Sequence, residues 1–233
     1  ADTVAVQLYD AQGTAVGSEL TEPISNAFGG VLNLSGSFPT AELWSTENPH
    51  LHTARVELRD GTTVLHRVED RFGFRTFDIL NEPGQIGAYL NGKRILIQGM
   101  NRHTFRPHSA RSITPAESEE DIALMHELNV NLVRSHVPAD PYFMDRLDEE
   151  GILHISEVTA WTNPLPTDIG TRLTRQHVWR DHNHPSNVLW INGNHNAWNP
   201  DLEGIFYQYD LQDRRVLGVS TRRSSQPIQP TDG

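Results

Sequence analysis

The 233 residues carry 30 acidic against 19 basic side chains, a formal net charge of −11, with 36% hydrophobic residues and a mean hydropathy of −0.51. This balance fits one or two soluble globular domains; it offers no basic face for a phosphate backbone and no apolar run near the ~20 residues of a membrane-spanning helix, so neither nucleic acid nor membrane is an expected partner. The lack of cysteine excludes disulfides and thiolate metal sites; it is compatible with cytosol, periplasm or secretion, and a periplasmic or secreted location is expected ahead of a cytoplasmic one.

The chain opens on Val4-Ala5-Val6-Gln7-Leu8-Tyr9, which reads as a strand already under way, as if a leader or another domain preceded it. Alternating apolar and polar residues continue to about Asp78, broken by Gln12-Gly13 and Asp60-Gly61, with Ala54–Leu58 and Thr63–Leu65 as further strands. Period two with Asp-Gly punctuation predicts antiparallel hairpins, and residues 1–80 are expected to form a small β-sandwich of immunoglobulin type.

After Asn81-Glu82-Pro83-Gly84 strands and helices alternate. A short strand at Ile95-Leu96-Ile97 precedes a helix announced by Thr114, Pro115 and Glu117, the residue types of a capping box with proline at the first helical position. Ile122, Met125 and Leu128 give that helix a buried stripe. A strand at Val130–Val133 follows, then a helix opened by Asp140-Pro141 and stopped by Gly151, and a strand at Ile152–Ile155. The pattern repeats with a helix near Arg172–Trp179, a strand at Val188–Ile191, a helix near Leu202–Tyr209 and a strand at Val216–Val219. Five strands separated by helices imply a parallel sheet, either barrel or open. A (β/α)8 barrel needs eight strands and typically ~250 residues, so residues 81–219 read as a piece of one. Residues 220–233, rich in Ser, Pro, Gln and Thr, are expected to be loop or disordered tail.

Four segments then carry a resemblance. They are Leu43-Trp44-Ser45-Thr46-Glu47-Asn48-Pro49 with Arg71-Phe72-Gly73-Phe74-Arg75; Leu90–Arg94 leading into Ile97-Gln98-Gly99-Met100-Asn101-Arg102-His103; Asn131-Leu132-Val133-Arg134-Ser135-His136; and Arg180-Asp181-His182-Asn183-His184-Pro185 running into Trp190-Ile191-Asn192-Gly193-Asn194-His195. In order and spacing they resemble glycoside hydrolase family 2, the β-galactosidase, β-glucuronidase and β-mannosidase group. The resemblance implies a multi-domain chain, an immunoglobulin-like β-sandwich followed by an α/β domain that is the first half of a TIM barrel. It further implies retaining exo-hydrolysis of a β-linked sugar by the parent protein, with a β-galactoside the expected substrate and carbohydrate the expected partner. No cofactor is expected.

In family terms His103 and His136 match histidines that hold sugar hydroxyls, Asn194 matches the asparagine at the 2-hydroxyl, and Glu157 matches an acidic residue that positions substrate or other side chains. The position after Gly193-Asn194 is the family's acid/base glutamate. Here it is His195. An imidazole can donate and accept protons near neutral pH, yet the family nucleophile, a glutamate near the seventh strand, has no counterpart in these residues. An inactivated site is one reading, and a non-catalytic carbohydrate-binding or assembly fragment is the corresponding alternative function. Trp161 and Trp198 can stack on sugar faces or serve as plain packing. The magnesium ligands of some relatives are replaced by Trp161-Thr162-Asn163 and His195, so that metal site is not expected. A zinc site on His103, His136 and His195 is a minor alternative, and His182-Asn183-His184-Pro185 reads as a turn. A sheet cut after five strands exposes an edge, so an oligomer or a partner supplying the rest of the barrel is expected.

Overall fold

The computed structural model describes residues 1–160 and 162–218, so the expectations for Trp161 and for the tail 220–233 lie outside the described residues. Strands β1 (Thr3–Tyr9), β2 (Ala15–Pro23), β3 (His52–Asp60) and β4 (Thr63–Phe72) form an antiparallel sheet in the order β2-β1-β3-β4. The second layer over this sheet is mostly irregular chain between Ala27 and Leu51, held by Phe38 against Gly17 and by the ring contacts of Phe38, His52, Phe72 and Phe74.

A three-stranded antiparallel sheet follows, β5 (Phe77–Glu82), β6 (Gln85–Leu90) and β7 (Lys93–Ile95). The strand expected over Ile95–Ile97 stops at Ile95. Asn131 accounts for this, because its side chain accepts from the Gln98 N–H and donates to the Leu96 carbonyl, taking both groups away from a ladder. The next strand therefore begins only at Gly99, as β8 (Gly99–Arg102).

From β8 onward the chain winds as strand and helix in turn: α1 (Pro115–Glu127), β9 (Leu132–Ser135), α2 (Pro141–Glu150), β10 (Leu153–Glu157), α3 (Thr167–Asp181), β11 (Asn187–Ile191), α4 (Glu203–Tyr209) and β12 (Val216–Leu217). All four neighbouring pairs are parallel, in the order β12-β11-β10-β9-β8, the progression of a partial TIM barrel. Local sequence sets the helix ends. The Thr114–Glu117 capping box forms, Asp140 caps α2 through the Phe143 N–H, and Gly151 closes α2 at φ 69°. No helix among the described residues is long and apolar enough to cross a membrane.

Alternation along the strands sorts the core into two layers. Val133 points to the helices and packs with Ile122, Met125, Phe143 and Leu147. Leu132, Leu153 and Leu189 point the other way, into a cluster with Trp44 and Leu90 that floors the half-barrel. Trp44 is fully buried there and donates its indole N–H to the Asp148 carbonyl at 2.8 Å. A side chain at Gly151 would meet the Thr46 carbonyl oxygen at 2.6 Å, and one at Gly73 would meet Trp44 and Pro185 below 3.0 Å. The Leu43–Pro49 segment thus docks the antiparallel sheet onto the barrel floor.

Candidate active site

Loops leaving the C-terminal ends of four parallel strands meet at one mouth. His103 follows β8, His136 follows β9, Glu157 ends β10, and Asn194 follows β11. Backbone bonds knit these ends together, from His136 N–H to the Arg102 carbonyl at 3.0 Å and from Asn194 N–H to the Ala160 carbonyl at 2.9 Å. Gly193 makes the turn after β11 at φ 101°, where a Cβ would lie 2.1 Å from the Ala197 carbonyl oxygen. No other residue fits there without moving backbone.

That turn buries Asn194 and brings its amide nitrogen 3.0 Å from His136 Nε2. The amide donates, so Nε2 is the accepting nitrogen and the ring proton resides on Nδ1, 3.7 Å from Glu157 Oε1. The rings of His103 and His136 lie 4.5 Å apart at 55°. Burial, then the neighbouring His136 and Arg134, hold the His103 imidazole below its ordinary pKa, which favours the neutral ring.

Below the histidines, Arg134 donates to Glu157 Oε2 through Nε at 2.8 Å and through its terminal nitrogen, and reaches Asn101 Oδ1 at 3.3 Å. Glu157 is fully buried, and its Oε1 has no hydrogen-bond partner among the described residues. Burial pushes its carboxyl up to about 7, against the opposing pull of Arg134. The carboxyl is thus engaged from one side by a guanidinium while its second oxygen faces His136, an arrangement that orients the imidazole. The sequence reading passed over Arg134 and Asn101. A signal was present: Arg134 lies two residues beyond Leu132 and so shares its inward face on the strand, where a charged residue needs an interior partner.

His195 is exposed, with φ 48°, and Asn196 follows at φ 67°. Two consecutive non-glycine residues in the left-handed region are costly, on the order of 1 kcal/mol or more each. Trp198 stands apart from the histidine pair. It is half-buried, and its indole lies against Gly218 and the cluster of Val158, Trp190 and Phe206. The zinc alternative is not supported by the geometry. Among the described residues the one group of three metal-type donors within 4.8 Å of one another is Asp145, Asp148 and His184, not the three histidines of the mouth. Asp148 in that group already accepts from His184 Nδ1 at 2.5 Å and from the Ser186 N–H at 3.0 Å, while Asp145 pairs with Arg71.

Residues 84–214 match the sequence profile of the TIM barrel domain of glycosyl hydrolases family 2, and residues 2–75 match the profile of glycosyl hydrolases family 2. The chain belongs to glycoside hydrolase family 2. It is 31% identical over 82% of its length to a β-galactosidase of Halalkalibacterium halodurans, and 33% identical over 71% to a β-galactosidase of Lactococcus lactis. It spans 20% and 17% of the length of those relatives. Among solved structures, a β-glucuronidase from Ruminococcus gnavus in complex with D-glucaro 1,5-lactone superposes with a TM-score of 0.79 at 26% identity, over 94% of this chain and 38% of that one.

Proposed function

We propose that this chain forms the sugar-holding half of a β-glycosidase that cleaves β-linked pyranosides with retention, galactosides or glucuronides being the substrates that the named relatives suggest. The observation that carries this reading is the bond from Asn194 to His136 beside His103, at the strand ends where barrel enzymes bind substrate. His103 and His136 would hold ring hydroxyls. Asn194 would contact the 2-hydroxyl, a bond that strengthens as the oxocarbenium-like transition state forms. Glu157 and Arg134 would position His136 rather than attack the sugar, since the carboxyl is already paired and buried.

Retaining hydrolysis uses two carboxyl groups ~5 to 5.5 Å apart. His195 occupies the proton-donor place, and the nucleophile would come from strands beyond the five described. A neutral imidazole there cannot protonate the leaving oxygen as a carboxylic acid does, and a cationic one opposes the positive charge growing on the ring. The exposed His195 therefore also supports a second reading, a carbohydrate-binding fragment without turnover. Assaying p-nitrophenyl β-galactoside and β-glucuronide with the chain alone, then with a polypeptide carrying the later strands, separates the two. Turnover only in the mixture supports the first reading, and sugar binding without turnover in either supports the second.

A further inference from the structure

Beside the histidine pair lies a cavity of about 250 Å³, walled by His103, His136, Phe105, Val137 and Arg111. No aspartate or glutamate lines it. Phe105 is 61% exposed and offers a flat apolar face, and Arg111, also exposed, has no acidic partner among the described residues. In a chain of net charge −11, a pocket whose ionisable groups are two histidines and an arginine is distinctive.

The loop that presents Arg111 is fixed to the body of the protein. Arg106 and Ala110 exchange backbone hydrogen bonds at 2.8 and 2.9 Å, closing a short turn, and Ala110 takes φ 52°. Arg106 donates to Asp121 and to the Glu117 carbonyl on α1, and Ser109 donates to the Glu117 carboxylate. The Thr114 backbone N–H and hydroxyl, with Ser109, keep that carboxylate ionised well below the usual range. Two acidic residues of α1 are thereby occupied by Arg106 and Ser109, while Arg111 is left facing the cavity.

We propose that this cavity takes a pyranose bearing an anionic substituent, a uronate carboxylate or a sulfate ester, and that Arg111 selects it. The inference rests on the sugar-binding reading above and narrows it to acidic sugars. A guanidinium at the pocket lip favours an anion with a charge-assisted bond, the histidines hold ring hydroxyls, and Phe105 covers an apolar sugar face.

The test follows the ring resonances of His103 and His136 in the 233-residue protein during titration with glucose, glucuronate, galactose and galactose 6-sulfate. The acidic sugars should act at concentrations at least about tenfold lower than their neutral counterparts. They should also raise the His103 midpoint by about half a pH unit, since a nearby anion favours the charged ring. The stronger of glucuronate and galactose 6-sulfate identifies the substituent. Arg111→Ala should abolish the preference, and Arg172→Ala, which removes an equal charge from the solvent-facing side of α3, should keep it. Equal binding of acidic and neutral sugars, a preference that survives Arg111→Ala, or equal competition by inorganic sulfate or acetate overturns the inference and leaves the sugar site standing. Silence of both rings toward all four sugars overturns the sugar-binding reading and this inference with it.

Discussion

The side-chain amide of Asn194 reaches across the end of β10 to Nε2 of His136, 3.0 Å away, and ties the loop after β11 to the loop after β9. The two side chains thus hold each other. Replacing Asn194 with alanine should cost about 0.5 to 1.5 kcal/mol, the net worth of one such bond. Urea denaturation measures the loss, and the His136 ring resonances should move with it; a variant that changes neither would remove the bond from the account of the mouth.

Gly193 allows that contact. At φ 101°, with the Ala197 carbonyl where a Cβ would stand, Gly193→Ala combines backbone strain with a clash. A stability loss of about 2 kcal/mol or more is expected, together with loss of the Asn194–His136 coupling. Gly13, also at positive φ but in open space, is the comparison, and its alanine variant should lose about 1 kcal/mol.

Acid should unfold the protein earlier than its surface charges suggest. His154 is held by burial at about 3, and His177 by burial at about 4, with His154 bonded to Ser135 and His177 to Ser156 behind the sheet. Both are depressed from 6.5, so below pH 6.5 the unfolded chain binds protons that the fold refuses, and stability falls as pH drops from 6.5 toward 4 and 3. Each group contributes up to about 1.4 kcal/mol per pH unit in that window. Denaturation midpoints at pH 7, 6 and 5 should decline, and His177→Asn should flatten the decline. Glu157 acts in the other sense. Its carboxyl is raised, so its contribution is full below 4.5 and is lost as pH rises through about 7. Glu157→Gln should weaken the dependence near neutrality.

The isolated chain should not turn over nitrophenyl glycosides, and His195→Glu should not restore activity, because the second carboxyl group would still be missing. A wild-type rate above background that disappears in His195→Ala would contradict this.

The outer strands β8 and β12 each have one neighbour in the five-stranded sheet. Leu96 is 85% exposed beside the first of them, and Met100 is partly exposed within it. Such edges recruit other strands. Sedimentation should show self-association, or a defined complex when a polypeptide with the later strands is added; a monomer in both cases would argue that the sheet edges are closed off.

Much of the architecture was legible because local signals are strong where helices begin and end. Thr114-Pro115-Glu117 and Asp140-Pro141 are caps that need no tertiary partner. The strand assigned to Ile95–Ile97 was not, since its fate depends on Asn131, more than thirty residues away, whose side chain competes for the same backbone groups. In the site, the Asn194–His136 bond joins residues 58 apart, and only the parallel register brings them together. Arg134 was overlooked for a related reason, because an arginine on a short strand reads as solvent-facing until the sheet curves around it.

Trp44 belongs in sequence to the first unit and in space to the second. Its ring is part of the barrel floor with Leu90, Leu132 and Leu153, and its indole hydrogen bond ends on α2. Severing the chain near residue 80 would therefore pull a plug from one piece and strand an aromatic side chain on the other. Two family profiles divide the protein, yet folding has no such seam: the units should melt together, as a single cooperative block.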